Sequence, residues 1–443
     1  MRILLLNQVF YPDVVSTAQH LSELAEALAQ AGHQVTVLCS SRGYDHPELR
    51  FARRELWKDV EIIRLRCSGL GKRARWRRAT DFATFLVSCS LRLLGMRRFD
   101  LVVALTSPPL ISALGAAFVK LKGGNLVFWV MDLNPDEAIA AGWLRQGSLV
   151  QKFLSVLLRF SLRASTHVIA LDSFMKQSLA AKGITPDRIS VIPPWSHDEA
   201  VNFDPAGRSH FRTRHGLEGK YVVMYSGNHS PCHPLDTLLE AARVLAADAR
   251  IVFCFVGGGS EFEKVRRFAA SHGLANIVQL PYQPLNELAA SLSAADLHVV
   301  VMGDAFVGIV HPCKIYNILA IGGPVLYIGP EDSHIATILC PHLGASIARS
   351  ARHGAPHDVV RHILDGAVGR LNALRGNQPG LQFSRDILLP RMVAVLESVA
   401  KNPRTIAAGR QEWSPLEGMD KIPGPHEHAP SAAKGKSTSA STA

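Results

Sequence analysis

Short apolar runs and helix-like segments alternate from the first residues of the chain. The run Arg2–Asn7 predicts a buried strand, and Gln34–Cys39 predicts a second strand after Gly32. Between them, from about Ala18 to Gln30, apolar residues recur with the spacing of one helix face. A helix that joins two strands over so short a stretch is typical of a βαβ unit, which builds a parallel sheet.

The same alternation continues to about residue 200 and predicts one doubly wound domain. A helix is predicted over Leu110–Leu121. Further strands are predicted at Val60–Arg66, Leu101–Leu105, Leu126–Met131 and His167–Leu171.

A second unit begins near Lys220, after a linker that runs from about Pro193 to Gly207. Its predicted strands are Tyr221–Tyr225, Ile251–Val256, Ile277–Leu280, Leu297–Val301 and Pro324–Ile328, with helices between them such as Leu235–Ala246. The predicted fold class is therefore α/β. Two Rossmann-like, doubly wound parallel-sheet domains, residues 1–200 and 201–402 with a closing helix, face each other across a cleft.

Residues 403–443 are rich in Pro, Gly, Ser, Lys and His and contain almost no aliphatic side chains. Such a segment buries too little apolar surface to offset the entropy of ordering, so we expect a disordered tail.

The formal net charge of +11 indicates an anionic partner. Much of it lies in the segment 71–98, where a basic cluster around Trp76 precedes an apolar stretch that ends at Arg97 and Arg98. That stretch is too short to span a bilayer, and the pattern favours a helix lying on the inner-membrane surface. A domain helix with a solvated basic flank is the alternative. A nucleic-acid partner is disfavoured because no recognition motif for one is present.

The seven cysteines are scattered, odd in number and without a CxxC pair. This usage predicts buried thiols in a reducing compartment, with neither a zinc site nor a disulfide framework. The opening run Ile3–Leu6 is too short for a secretory signal, and no apolar run is long enough for a membrane span. We therefore expect a cytoplasmic protein, peripheral on the cytoplasmic face of the inner membrane.

Two facing parallel-sheet domains predict a ligand at the carboxyl ends of their strands. A nicotinamide enzyme is disfavoured, because no glycine occurs in Asn7–Pro12 after the first strand. The turn Gly257–Gly259 follows a strand, and its amides could face a diphosphate while Ser260 caps the next helix. A purely structural turn is the alternative. Lys314 lies near the start of a predicted helix that Gly322 ends, and a lysine beside free amides suits a diphosphate.

Several moderately specific motifs occur together in a characteristic order. They are Tyr11–Asp13, Ala31–Val37, Thr106–Pro109, Trp129–Asp136, Val191–Trp195, Tyr225–Asn228, Val256–Gly259, Pro312–Lys314 and Gly322–Val325. With these motifs, over about 400 residues, the chain resembles the retaining GT-B glycosyltransferases of family 4, group 1. It resembles in particular the branch that builds bacterial surface polysaccharides, which includes lipid-linked fucosamine transferases.

The resemblance implies transfer of a sugar from a nucleotide-sugar donor to a polyprenyl-diphosphate-linked saccharide of an exopolysaccharide, capsule or O-antigen. It implies that Lys314 and the amides of Gly257–Gly259 hold the donor diphosphate. The arginine and lysine that the family usually provides fall at Asn228 and His233, and neither is a dependable cation at neutral pH.

Many family members also carry two glutamates eight positions apart. The second, which would hold the nucleotide ribose, is replaced here by Asn317, whose amide still hydrogen-bonds hydroxyls. The first falls near Ile309, and Asp304 is the candidate substitute if the loop is rearranged.

Asp132 follows an apolar strand and is predicted to face the cleft, where it would orient the acceptor hydroxyl or steady the sugar-like transition state. A helix cap is the alternative. Asp136 and Glu137 are weaker candidates, because first-turn acidic residues often only complement a helix dipole. Ser16 and Thr17, before the first long helix, are predicted to contact the acceptor or donor phosphate, with ordinary capping as the alternative. No metal or other cofactor is expected, since protein cations can stabilise the leaving diphosphate.

Two further functions are compatible with the same fold. A sugar-nucleotide 2-epimerase would bind the same donor but would need its own carboxylates and no lipid helix. A non-catalytic scaffold would bind lipid-linked sugar without turnover.

Overall fold

The computed structural model describes residues 1–44, 46–71, 75–196, 201–342, 347–369 and 380–401. The predicted tail, residues 403–443, and Lys72, Arg73 and Ala74 of the basic cluster lie outside the described residues.

The first lobe is built on an eight-stranded sheet. Its strands are β1 (Arg2–Leu6), β2 (Gln34–Ser40), β3 (Arg54–Trp57), β4 (Val60–Leu65), β5 (Leu101–Ala104), β6 (Asn125–Trp129), β7 (His167–Ala170) and β8 (Ile189–Val191). Their order is β3-β4-β2-β1-β5-β6-β7-β8, and every pair is parallel except β3 with β4. Because helices cover both faces, the central strands are continuously apolar, and Ile3–Leu6 is completely buried. The predicted parallel sheet is confirmed, and the antiparallel edge strand β3 is an addition.

The helices of the first lobe are α1 (Ser16–Gln30), α2 (Arg75–Leu94), α3 (Ile111–Lys122), α4 (Asp136–Ala140), α5 (Leu149–Ala164) and α6 (Ser173–Ala181), with a 3-10 turn at Pro186–Arg188. Ser16 and Thr17 are the first residues of α1, and Val15 precedes them without a side-chain cap. The helix therefore begins two residues earlier than predicted, so these two residues do not lie before it, and the alternative that either of them caps it is also wrong.

The second lobe is built on a six-stranded, fully parallel sheet. Its strands are β9 (Tyr221–Asn228), β10 (Ile251–Gly258), β11 (Ile277–Leu280), β12 (Leu297–Val301), β13 (Val325–Ile328) and β14 (Ala348–Ala351), in the order β11-β10-β9-β12-β13-β14. Its helices are α7 (Pro205–Arg214), α8 (Asp236–Val244), α9 (Phe262–Ser271), α10 (Leu288–Ser293), α11 (Lys314–Ile321), α12 (His334–Leu339) and α13 (Pro356–Ala367). Short 3-10 turns occur at Leu285–Glu287, Asp304–Phe306, Cys340–His342 and Leu381–Phe383.

The two lobes share backbone contacts at the carboxyl edges of their sheets. Asp132 and Val310 form an isolated antiparallel bridge, and the amide of Leu133 donates to the carbonyl of Ile309 at 2.9 Å. The last helix, α14 (Arg385–Lys401), packs against α1, β5 and β6 of the first lobe. The predicted closing helix is therefore present, but its buried face covers the first sheet.

Candidate active site between the two lobes

Lys314 is the first residue of α11, and its ammonium nitrogen is buried without a hydrogen-bond partner. The Nζ atom lies 3.6 Å from the centre of the Tyr225 ring, close beside Gly227 at the end of β9. Burial lowers the pKa of Lys314 well below its usual value. A buried cation held by an aromatic face alone is poorly compensated, so this nitrogen favours an anionic ligand.

The rest of α11 supports the same site. Asn317 lies one turn beyond Lys314 and is half-buried, so both side chains are on one side of the helix. Gly322, with φ of +70°, ends the helix before the buried strand β13, as the sequence predicts.

The predicted glycine turn is partly strand. Gly257 and Gly258 extend β10 and pair in register with Gly227 and Asn228 of β9. A Cβ atom on Gly257 would lie 2.1 Å from the carbonyl oxygen of Gly227, so only glycine allows the two strand ends to approach so closely. Ser260 does not cap the following helix; Glu261 occupies the cap position and makes no side-chain cap bond.

Gly259 offers a direct test of this packing. Its φ is +131°, and a Cβ atom there would lie 2.3 Å from the carbonyl oxygen of His229. We expect Gly259→Ala to destabilise the protein by about 3 kcal/mol, measured by thermal unfolding. Gly258→Ala is the matched control, because its new methyl group would meet only the exposed ring of Tyr282 at 3.1 Å. Equal melting temperatures for the two variants would contradict the close approach.

Asn228, His229 and His233 surround the same strand end. Asn228 is exposed, and His233 is buried with its Nδ1 2.7 Å from the carbonyl oxygen of Val301. Burial and the nearby Lys314 charge lower the pKa of His233 to about 3 and that of His229 to about 4. Both imidazoles are therefore neutral at physiological pH, which leaves the cationic role at this strand end to Lys314.

On the facing lobe, Asp132 and Glu137 form an interacting acidic pair just beyond β6. Burial, together with the charge of Glu137, raises the pKa of Asp132 to about 8. Burial also raises the pKa of Glu137, which accepts a hydrogen bond from Asn134 at 2.9 Å. The Arg78 charge opposes both shifts. Since the pKa of Asp132 lies near neutral pH, this carboxyl is a group that can accept or return a proton.

From the sequence, Glu137 was only a weak candidate for the site, and Arg78 was not predicted as a site residue. Glu137 is in the first turn of α4, but its carboxylate lies 3.9 Å from the Cys232 sulphur of the other lobe. Arg78 is on α2, far from Asp132 in sequence. Only the long-range packing of α2 brings its charge to the acidic pair, and no local pattern signals such a contact.

The remaining predicted residues occupy distinct places. The Ser16 hydroxyl hydrogen-bonds the Cys313 thiol, next to Lys314, whereas Thr17 is half-buried within α1. The Ile309 side chain packs into the core, and its carbonyl bonds Leu133 as described above. Asp304 is exposed on a 3-10 turn, and its charge acts on Tyr327 and Arg352.

Asp172, His311 and His334 form a buried cluster between the lobes. Asp172 accepts from the Met175 amide at 2.7 Å, and its other oxygen lies 2.8 Å from Nδ1 of His311. The two imidazoles stack with centres 4.1 Å apart and planes inclined by 16°. Imidazole binds a metal in the plane of its ring, and nearly parallel stacked rings point their lone pairs along parallel lines. The arrangement suits a contact that fastens the lobes better than it suits a metal site.

A separate apolar surface lies on the outer helices of the first lobe. On α2 the exposed side chains Val87, Leu91 and Leu94 share one face, and Trp76 lies three turns earlier on the same face. The helix α3 packs against both α2 and α5, and α5 carries its own exposed apolar face. Its members are Leu149, Val150, Phe153 and Val156. None of the helices in the described part of the chain combines the length and apolar composition that a bilayer span requires.

Two family descriptions match the chain, one for each lobe. The description "Glycosyl transferase 4-like domain" matches residues 17–195, and "Glycosyl transferases group 1" matches residues 208–328. This chain is 26% identical over 343 residues to WcaI of Escherichia coli (strain K12), which is described as a "putative colanic acid biosynthesis glycosyl transferase". That alignment covers 73% of this chain and 82% of WcaI.

Solved structures agree with this fold. Anabaena Alr3699/HepE, in complex with UDP and glucose, superimposes with a TM-score of 0.68 at 14% identity, covering 90% of this chain and 100% of that chain. WaaG, a glycosyltransferase involved in lipopolysaccharide biosynthesis, superimposes with a TM-score of 0.64 at 14% identity, covering 89% and 99%.

Proposed function

Because the chain belongs to the group 1 glycosyltransferases of the GT-B fold, with a family 4-like first lobe, we propose a specific transfer reaction for it. The protein moves a sugar from a nucleotide-sugar donor, with retention, to a polyprenyl-diphosphate-linked saccharide of a bacterial surface polysaccharide. The buried, unpartnered ammonium of Lys314 carries the proposal, since it is a preformed position for a donor diphosphate.

The second lobe holds the donor. Lys314, the N-terminus of α11 and the amides of Gly257–Gly259 neutralise the diphosphate as its bond to the anomeric carbon breaks. Asn317 takes the ribose hydroxyls, while Asn228 and the neutral His233 hydrogen-bond the phosphates or sugar. HepE, which has the same fold, forms a complex with UDP and glucose, and this supports a nucleoside diphosphate as the ligand that we propose here.

The first lobe presents the acceptor. Asp132 orients the acceptor hydroxyl and receives its proton, and Glu137 tunes the carboxyl of Asp132. Ser16, at the start of α1, lies beside Cys313, which precedes Lys314, and we assign Ser16 and its neighbour Thr17 to the acceptor sugar or the donor phosphate. Protein cations supply the charge stabilisation, so the proposed reaction uses no metal or other cofactor.

The apolar faces that α2 and α5 each expose meet the membrane that carries the lipid acceptor. We expect the double variant Leu149→Ser, Phe153→Ser to bind anionic vesicles at least tenfold more weakly, because both side chains lose their burial in lipid. Flotation with phosphatidylglycerol vesicles measures this. Val368→Ser, on a second-lobe residue about as exposed as Phe153, is the control and should bind like the native protein. Undiminished binding of the double variant would rule out this face.

The proposed function is tested by offering UDP-, GDP- and ADP-sugars to the full chain, with and without membrane lipid extract. Saturable binding of one donor, and a lipid-linked product whose anomeric configuration matches the donor by NMR, are expected. An isomerised nucleotide sugar formed without acceptor would identify an epimerase instead. Donor binding without any turnover would identify a scaffold.

A further inference from the structure

A second concave site lies on the first lobe, apart from Lys314. The carboxyl ends of β1, β2 and β4 and the first turns of α2 line it, through residues that include Gln8, Ser40, Arg42, Cys67 and Arg78. The carboxyl edge of a parallel sheet is where such folds bind their ligands. The second-lobe residues that we propose to bind the donor do not lie at this edge.

Arg42 contributes a guanidinium to this pocket. It donates to the carbonyl of Pro47 at 3.1 Å and lies against Gly69. Within the described ranges, no carboxylate forms an ion pair with it. Its one side-chain hydrogen bond to the described residues is that to Pro47, so other N–H groups of the guanidinium can turn to a ligand.

Arg78 supplies the second guanidinium. It is exposed, lies over the Phe82 ring at 5.3 Å, and donates to the Tyr44 hydroxyl at 3.3 Å. Its charge also reaches Asp132 and Glu137 of the cleft. Arg78 thus connects the pocket to the position at which the acceptor hydroxyl reacts.

The one carboxylate in the pocket lining, Asp81, is already satisfied by its own loop. It accepts hydrogen bonds from the Ser68 hydroxyl and from the amides of Leu70 and Gly71, the last two at 2.8 and 2.9 Å. Its charge fixes the shape of the loop at the pocket's rim. The pocket therefore presents two arginines to a ligand and favours an anion.

We propose that Arg42 and Arg78 bind the diphosphate of the lipid-linked acceptor. Each planar guanidinium can donate two parallel N–H bonds to phosphate oxygens. Two arginines therefore suit a diphosphate better than a single cation would. Arg78 and the exposed Trp76 both lie in the first turn of α2, so the pocket adjoins the start of the helix that carries the exposed apolar face, and the prenyl chain leaves over that end of the helix toward the membrane. This assignment rests on the proposed function, because it names the acceptor group that the first lobe recognises.

The test is calorimetric titration of the full chain with geranyl diphosphate, a soluble prenyl diphosphate, with geraniol and inorganic pyrophosphate as comparison ligands. We expect Arg42→Gln and Arg78→Gln each to weaken geranyl diphosphate binding about tenfold or more. Arg77→Gln is the matched control. This variant loses the same charge, but Arg77 lies over the Trp76 ring and does not line the pocket. Lys314→Ala should bind the probe normally.

Every other pattern overturns the assignment. Loss of binding in Lys314→Ala with retention in both arginine variants would place the probe in the donor site. Equal binding of geraniol would exclude anion recognition, and equal binding of pyrophosphate would exclude the lipid as its source. Donor binding, measured separately with the nucleotide sugars, reports on the proposed function independently of this result.

Discussion

Replacing Lys314 by alanine is expected to lower kcat/KM by about a thousandfold, the largest effect of any single substitution in the proposed donor site. The Nζ atom is the only cation that we find buried against the β9 strand end in the described residues, where His229 and His233 are neutral. A charge placed where negative charge develops on the leaving diphosphate contributes roughly 3–4 kcal/mol to catalysis. Initial rates and donor affinity, measured over a range of donor concentrations, separate the binding and catalytic parts of this loss.

Lys314→Met gives the same prediction a control for folding. Methionine retains the length and apolar stem of the side chain but removes a buried charge that lacks a hydrogen-bond partner, so thermal stability should rise while activity is lost. The pKa of Lys314 is lowered in the folded state. The lysine side chain therefore does not destabilise the fold above the ordinary lysine pKa, and its destabilising effect grows as pH falls from that value toward the lowered pKa of the folded state. The gain in stability should therefore be larger at pH 7 than at pH 11. An active methionine variant would show that the ammonium does not bind the diphosphate.

The sheets were predictable because parallel strands buried on both faces are apolar throughout, and helices between them keep a regular apolar spacing. The antiparallel strand β3 was missed because Arg54–Trp57 alternates exposed and half-buried side chains at a sheet edge. The helix α5 was missed for a related reason. Its apolar residues Leu149, Phe153 and Val156 are on the exposed face, where a core-facing helix would have polar ones.

The proposed donor half of the candidate site could be located from the sequence because its features are local. Lys314 at a helix start and Gly257–Gly259 at a strand end are both visible as short motifs. The acceptor half depends on tertiary packing, which no short motif records. The proximity of Arg78 to Asp132, and of Glu137 to Cys232, arises only after α2 and the second lobe pack against the end of β6.

Asp132→Asn is expected to lower kcat by about a thousandfold while donor binding is retained, because loss of a positioned proton acceptor typically costs two to four orders of magnitude. The native rate should rise with pH and level off above a midpoint near 8, since the pKa of Asp132 is raised to about 8 by burial and by Glu137. Glu137→Gln removes one of these causes, so the midpoint should shift to lower pH. Asp136→Asn is the control; its carboxylate pairs with Lys182 at 2.7 Å, and its loss should leave the midpoint in place.

The pH dependence of protein stability is a second measure of the Asp132 pKa, and it does not depend on turnover. The pKa of Asp132 is raised from its ordinary value near 4 to about 8 on folding. The contribution of this carboxyl to stability is therefore complete below about pH 4 and is lost as the pH rises through about 8. Asp132→Asn cannot ionise, so the variant should melt higher than the native protein at pH 9, and the difference should vanish toward pH 4. A pH-independent difference, together with an unchanged rate profile in Glu137→Gln, would show that Asp132 is a structural residue and that another group receives the acceptor proton.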